Sequence, residues 1–127
     1  MVGTSGTRHR PREIRLKRAE KMIEIDFDDG ATFCLPAEIL RVESPSAEVQ
    51  GHGPGQKNLV VGRQHVGILS VETVGHYALK IKFDDLHDSG IFPWDYLYHL
   101  GQNLDRIRQE YLDALAANGL SRDPRDQ

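Results

Sequence analysis

The chain has only one cysteine, Cys34, among its 127 residues. A single thiol excludes an internal disulfide and any cage of several cysteines around zinc or an iron–sulfur cluster. No apolar run approaches the roughly 20 residues needed to cross a bilayer, and the first residues lack the apolar core of a secretory signal. We therefore expect a cytoplasmic protein that does not interact with membranes.

The chain also lacks an excess of basic residues over acidic ones, since the formal net charge is −3. This balance argues against nucleic acid or an acidic membrane as the main partner. Residues 1–21 are the exception, because they carry seven Lys and Arg residues against Glu13 and Glu20. Such an arm could contact phosphates, but no aromatic side chain lies among these charges to stack on bases. A solvated start to the first strand is the favoured interpretation.

Sequence patterns typical of catalysis are missing. There is no G-x-S-x-G nucleophile elbow, and the glycine-rich segment 51–55 has neither a following helix nor the Lys-Ser/Thr pair of a phosphate loop. The His-x-Asp/Glu pattern of a mononuclear iron site does not occur. A chain of this size can bury a core, but not a core and a large catalytic cavity. We expect a protein without enzymatic activity.

The length fits one domain. The ends, 1–11 and 120–127, are poor in apolar residues, so they are expected to be a disordered arm and a disordered tail around a domain at 12–119. Apolar and polar residues alternate through 13–17 and 21–27, and the turn at 28–30 leads into a third alternating segment. This period of two predicts a three-stranded antiparallel meander.

The second half of the chain predicts a hairpin and a helix. Segments 66–74 and 77–83 alternate around Gly75, and the second of them should place Tyr77, Leu79, Ile81 and Phe83 inward, with Lys80 and Lys82 toward water. Residues 58–61 could add a short strand, whereas 43–57 and 84–93 are expected to be irregular.

Apolar residues recur at three- and four-residue spacing from Trp94 to Leu115, which predicts a C-terminal helix ending at Gly119. Gly101 interrupts this stripe. It either permits close packing on the sheet or separates a short helix near 94–99 from a longer one after 103. The predicted fold class is α+β, with a small, mostly antiparallel sheet packed against this helix.

The densest polar cluster is the segment 84–90. Its carboxylates, with the imidazole of His87, could hold a divalent cation weakly. The alternative is a polar connection in which Asp88 or Ser89 caps the turn that follows.

Several runs resemble a known family. They are LRVESPSAEVQGHG, VETVGHYALKIKF and DDLHDSGIFPWDYLYHLG, and together the likeness covers residues 12–115. The family is DUF971, also called the γ-butyrobetaine hydroxylase-like N-terminal domain. In larger relatives this domain precedes the catalytic part of iron- and 2-oxoglutarate-dependent hydroxylases, or is joined to a carrier ATPase of iron–sulfur cluster assembly. The resemblance implies a link to iron or iron–sulfur metabolism.

The resemblance also implies a metal site that this chain has lost. In the hydroxylases, three cysteines and one histidine bind structural zinc. Here Ser44, Ser46 and Val49 stand in the cysteine positions, and the histidine survives as His87. Serine hydroxyls and a valine cannot replace thiolates at tetrahedral zinc, so we expect no structural zinc and no required cofactor. Weak binding of iron or another divalent ion by His87, with Asp88 and His52, stays open.

The leading hypothesis is a non-catalytic binding or adaptor module with a protein partner in iron or iron–sulfur metabolism. The alternative is a metal-binding accessory protein related to the hydroxylases. The candidate binding surface is the polar corner where the family places zinc, and its residues are Ser44, Ser46, Glu48, His52, His87, Asp88 and Trp94.

Overall fold

A computed structural model describes residues 9–50, 59–85 and 90–123. Within these ranges the chain forms two antiparallel three-stranded sheets and four helices, which confirms the α+β class. The elements in chain order are β1 (Pro11–Lys17), β2 (Met22–Phe27), β3 (Thr32–Pro36), α1 (Ala37–Val42), α2 (Ala47–Gln50), β4 (Ile68–Val74), β5 (Ala78–Phe83), β6 (Gly90–Pro93), α3 (Trp94–Gln102) and α4 (Leu104–Ala117).

The first sheet is the expected meander, with strand order β1-β2-β3. Ile25 of β2 lies across from Ile14 on one side and from Phe33 on the other. Alternate residues of a strand point to the same face, so these side chains form one apolar face toward the core. The tight connection between β2 and β3 uses Gly30, which has a φ of 92° that disfavours residues with a Cβ.

The second sheet combines the predicted hairpin with a strand that the sequence did not predict. Its order is β4-β5-β6, and β6 occupies part of a stretch that was expected to be irregular. Leu79 of β5 lies across from Phe92 of β6, and both are buried. A four-residue strand is too short to show a period of two, so only its pairing with β5 identifies it.

The hairpin turn corrects one inward assignment. Val74 pairs with Ala78, so the connection spans three residues and Tyr77 belongs to the turn instead of the strand. The side chain of Tyr77 is therefore 51% exposed, whereas Leu79 and Ile81 are buried as expected.

The helical stripe contains both features that Gly101 suggested. The helix runs through Gly101 to the end of α3 and breaks at Asn103, after which α4 begins. A Cβ on Gly101 would lie 2.3 Å from Cγ of Phe33. Close packing on the first sheet thus requires glycine at this position. At the other end, Gly119 has a φ of 65°, and Leu120 N–H donates to the carbonyl of Leu115 at 2.9 Å, closing α4.

Both sheets contribute to one core, which also takes the buried faces of α1, α3 and α4. The fully buried side chains with the largest volumes are Phe27, Phe83, Phe92, Ile23, Ile25, Leu35, Ile39, Leu40, Leu79, Ile81, Leu97 and Leu100. The described helices include none long and apolar enough to span a membrane.

Two loop assignments differ from expectation. Residues 59–61 form no strand; instead, the hydroxyl of Tyr111 on α4 donates to the carbonyl of Val60 at 2.8 Å. The loop after α1 contains the short helix α2. The sequence indicated neither the conformation of 59–61 nor the presence of α2. A three-residue apolar run and a single helical turn are too short to show a period.

The packed structure extends past the expected boundaries at 12 and 119. At the N-terminal side, His9 stacks on the ring of Tyr98, with centroids 3.6 Å apart, and its Nδ1 lies 2.9 Å from Oδ1 of Asp95. At the C-terminal side, Arg122 donates three hydrogen bonds to Glu38, the shortest at 2.6 Å. His9 and Arg122 thus contact the folded part of the chain. Residues 1–8 and 124–127 lie outside the described ranges.

Candidate functional site

The polar corner predicted from the sequence is built around Ser44, which is fully buried just after α1. Its Oγ lies 3.4 Å from both Oγ and the backbone N of Ser46, and its carbonyl accepts a hydrogen bond from the side-chain amide of Gln50 at 2.9 Å. The side chain of Val49 is also buried. The backbone N–H of Val49 donates to the carbonyl of Ser46 at 3.1 Å, which links these two residues in one short turn.

This corner contacts the start of β6. A Cβ built on Gly90 would lie 3.2 Å from Oγ of Ser44 and 2.7 Å from the ring of Phe92. Ser44 thus lies close to the backbone at Gly90, although an added Cβ would overlap more with the Phe92 ring than with Ser44. The structure therefore brings the 44–50 segment against the residue that follows 86–89.

A cluster of charges anchors the same region. Asp85, at the end of β5, accepts a hydrogen bond at 2.8 Å from Nε of Arg41, a residue of α1 that is only 4% exposed. Nε of Arg63 lies 2.7 Å from the same carboxylate oxygen. Burying one of these charges without an opposite charge beside it would be costly. The contacts of Asp85 with Arg41 and Arg63 therefore link α1 and the 59–66 segment to the second sheet.

Tyr96 joins α3 to the corner. Its hydroxyl donates to the carbonyl of Glu43, the residue after α1. Burial raises the pKa of Tyr96 well above its usual range, and the nearby charge of Glu43 raises it further. The phenol therefore stays protonated further into the alkaline range than a free tyrosine, and it acts as a hydrogen-bond donor that positions α1.

The other candidate residues lie apart from this corner or outside the described ranges. His52, His87 and Asp88 are not among the described residues, and neither is the side chain of Glu48. Trp94 is buried at the opposite end of β6 from Gly90, where its indole N–H donates to the carbonyl of His76 at 2.9 Å. It supports the hairpin turn. Across residues 9–50, 59–85 and 90–123, no three His, Cys, Asp or Glu side chains converge as metal ligands.

The structure also displays a surface that sequence reasoning did not single out. We call it the exposed face of the second sheet. Ser70 pairs with Lys82 across β4 and β5, Glu72 pairs with Lys80, and Lys80 pairs in turn with Ile91 of β6. A shallow depression of about 260 Å³ lies between the four polar side chains. Lysines facing water were expected at these positions, but Ile91 lay in a segment with no predicted strand.

Charge on the exposed face differs from charge on the outer face of the first sheet. There, Arg15 contacts Glu24 at 2.7 Å and Asp26 at 2.9 Å, and Lys17 contacts Glu24 at 3.3 Å. The hydrogen bonds from Arg15, together with one from Thr32, lower the pKa of Asp26 to about 2. Arg15 and Lys17 of the first sheet are thus neutralised across strands.

The two lysines of the second sheet have no such partners. In the described part of the chain, neither Lys80 nor Lys82 has a carboxylate within 4.0 Å. Glu72 sits directly across from Lys80 without closing an ion pair. With two lysines and one glutamate, the exposed face carries an excess of one positive charge.

Apolar side chains accompany this charge. Among the described residues, four large hydrophobic side chains are exposed, and three of them belong to the second sheet or its turn: Leu69 at 44%, Tyr77 at 51% and Ile91 at 42%. Leu69 and Tyr77 flank the exposed face at the two ends of β4, and Ile91 lies within it. Ile91 is therefore the one of these three side chains that lies beside the lysines of the exposed face.

Comparison with known proteins places the chain in a family. A family model described as gamma-butyrobetaine hydroxylase-like, N-terminal, matches residues 14–98. One similar protein, solved in solution by NMR, is 49% identical over 91% of each chain with a TM-score of 0.80. A second NMR structure is 43% identical, over 98% of this chain and 92% of that one, with a TM-score of 0.80.

A crystal structure from Acidithiobacillus ferrooxidans ATCC 23270 is 40% identical over 72% of this chain and 92% of that one, with a TM-score of 0.62. It is described as a protein of unknown function in the DUF971 family. Among curated proteins, none matches. The family model and these similarities, which span most of the folded chain, show that the protein belongs to the DUF971 family of γ-butyrobetaine hydroxylase-like N-terminal domains.

Proposed function

We propose that this protein is a non-catalytic module that binds a protein partner through the exposed face of the second sheet. The observation that supports the proposal is the combination on this face of an exposed Ile91 with the unpaired Lys80 and Lys82. An apolar side chain next to uncompensated charge gives a partner both buried area and a charge to neutralise.

The fold supplies a rigid base for such a surface. The opposite side of β5 and β6 consists of buried apolar residues, including Leu79, Ile81 and Phe92, that belong to the common core. Side chains on the exposed face are therefore held in fixed register, and binding would not require the sheet to become ordered.

The link to iron or iron–sulfur metabolism is part of this proposal. Its support is the domain context of the family, in which this domain accompanies iron-dependent hydroxylases or a carrier ATPase of cluster assembly. Metal analysis of tag-free protein separates a protein-binding role from the metal-binding alternative. A stoichiometric divalent metal that is lost in His87→Ala would favour the alternative.

The binding role can be tested with paired variants. Wild-type protein, Ile91→Asp and Leu120→Asp serve as baits for affinity capture from the native host, after amide spectra confirm that all three are folded. Leu120 is a matched control because it is 40% exposed, close to the value for Ile91, but lies after α4. We expect a partner that is captured by wild type and Leu120→Asp and lost with Ile91→Asp. Identical capture by all three baits would refute the proposed surface.

A further inference from the structure

We infer that the exposed face of the second sheet recognises a short acidic protein segment whose carboxylates pair with Lys80 and Lys82. This inference rests on the proposed function and adds the chemistry of the partner. A comparison of the outer faces of the two sheets supports this inference. On the first, Arg15 and Lys17 are paired with Glu24 and Asp26, whereas Lys80 and Lys82 of the second form no ion pair within the described part of the chain.

Hydrogen-bonding groups on this face also favour a carboxylate. Ser70 lies across from Lys82 and lines the same depression, so a hydroxyl donor and an ammonium group face one small volume. A carboxylate accepts from both kinds of donor. Glu72 is the one acid in the depression, and it lies beside Lys80. Lys82 with Ser70 is therefore expected to bind a carboxylate more strongly. Lys80 with Ile91 combines a positive charge with an apolar side chain.

The spacing of the lysines suggests the conformation of the segment. Lys80 and Lys82 are two residues apart on one strand, which separates their Cα atoms by roughly 7 Å. An extended segment with acidic side chains at alternate positions has the same repeat. Ile91, directly across from Lys80, would contact an apolar side chain next to these acids.

The size of the face favours a segment over a folded domain. Three strands about 4.8 Å apart make a face only about 10 Å wide, and β6 contributes four residues. A standard interface between two folded proteins buries about 800 Å² on each partner. A narrow face with two charges suits a linear segment that binds weakly and reversibly.

Nucleic acid fits the same surface less well. A single strand is usually held by a basic groove together with aromatic side chains on which bases stack. The exposed face has two lysines, one glutamate and no aromatic residue, and the whole chain has a net charge of −3.

The test uses isotope-labelled full-length protein and a synthetic extended peptide with glutamate at alternate positions. Its isosteric control carries glutamine at those positions, and a single-stranded oligonucleotide of similar charge is the third probe. With the glutamate peptide we expect saturable shifts of the amide signals at 70–72, 80–82 and 91. The affinity should fall several-fold as added salt screens the charges.

Two charge-reversal variants make the test specific. Lys80→Glu/Lys82→Glu should lower the affinity for the glutamate peptide by at least tenfold. Arg106→Glu/Arg108→Glu makes the same change in net charge on exposed positions of α4 and should leave the affinity within about twofold of wild type. Melting curves check that each variant folds.

Four results would overturn the inference. The glutamine peptide could bind as tightly as the glutamate peptide, or the oligonucleotide could bind more tightly. The amide shifts caused by the glutamate peptide could be centred elsewhere, or its dissociation constant could be above about 1 mM. The proposed function can fail separately. A captured partner lost with Ile91→Asp but retained by Lys80→Glu/Lys82→Glu would keep the docking face and reject an acidic partner. Capture that is insensitive to both variants would reject the face itself.

Discussion

Replacing Gly101 by alanine should destabilise the protein, although alanine is the better helix former. Gly101 lies inside α3, where exchanging glycine for alanine normally stabilises a helix by about 1 kcal/mol. The new methyl group, however, would lie 2.3 Å from Cγ and 2.7 Å from both Cβ and Cδ1 of Phe33. Unbonded carbon atoms prefer about 3.5–4.0 Å. The helix and β3 would have to separate by about 1 Å.

The size of the loss follows from these opposing effects. Overpacking a core contact typically costs about 1–3 kcal/mol, and sometimes more. Rotation of the Phe33 ring cannot relieve the overlap with its own Cβ, which is fixed to the backbone of β3. We therefore expect the overlap to exceed the gain in helix propensity, with a net loss of up to about 2 kcal/mol and a fall in melting temperature of roughly 4 °C per kcal/mol.

The assay is chemical and thermal unfolding of Gly101→Ala in three backgrounds. With Phe33 intact the substitution should destabilise. With Phe33→Ala, the ring atoms are gone but the Cβ overlap persists, so the penalty should shrink. With Phe33→Gly, the overlap disappears and Gly101→Ala should stabilise by up to about 1 kcal/mol. Gln102→Ala, an exposed position next to Gly101 in the same helix, reports the effect of propensity alone.

The change of sign across the backgrounds is the decisive result. If Gly101→Ala stabilises the wild-type protein, the contact between α3 and β3 is looser than the structure shows. If it destabilises all three backgrounds equally, the cause is not the overlap with Phe33. A double-mutant cycle is suited to this question because the two residues are in direct contact.

Three further predictions concern other parts of the fold. Tyr111→Phe should lower the free energy of unfolding by about 0.5–1.5 kcal/mol and speed amide exchange at 59–61, because it removes the hydrogen bond to the carbonyl of Val60; unchanged exchange would show that this segment is held otherwise. Asp26 has a folded pKa of about 2, below its ordinary 3.8, since Arg15 donates to its charged form, so its stabilising effect is complete above about pH 4 and is lost as the pH falls toward 2. Asp26→Asn should flatten the pH dependence of unfolding in that range, and an unaltered acid transition would contradict this assignment. Excess chelator should leave the melting temperature unchanged, because Ser44, Ser46 and Val49 cannot supply the thiolates of a structural zinc site, and a large drop would reveal a structural metal.

The sequence alone determined the class of fold and most of its elements. Local periods are sufficient where one face of a segment is buried, as in the meander around Ile25 and the helical stripe from Trp94 to Leu115. Backbone chemistry marked the element ends, since Gly119 terminates α4 and Pro93 precedes α3. The runs around Ser44 and His87 were distinctive enough to indicate the family.

The candidate corner could be inferred only in part. The sequence associated Ser44 with the segment near His87, and the structure places Ser44 against Gly90, three residues after that histidine. It also grouped Trp94 with the corner, whereas the buried indole supports the hairpin turn. Spacing along the chain does not reveal at which end of a strand a neighbouring residue will pack.

Only the tertiary structure decided what depends on pairing between distant segments. The four residues of β6 form a strand because they complete the second sheet beside β5, and that pairing places Ile91 next to Lys80. Neutralisation of Arg15 by Asp26, and its absence at Lys80 and Lys82, likewise depend on cross-strand register. Register arises from packing of the whole core, so a single sequence does not show which charged surface compensates itself and which is left for a partner.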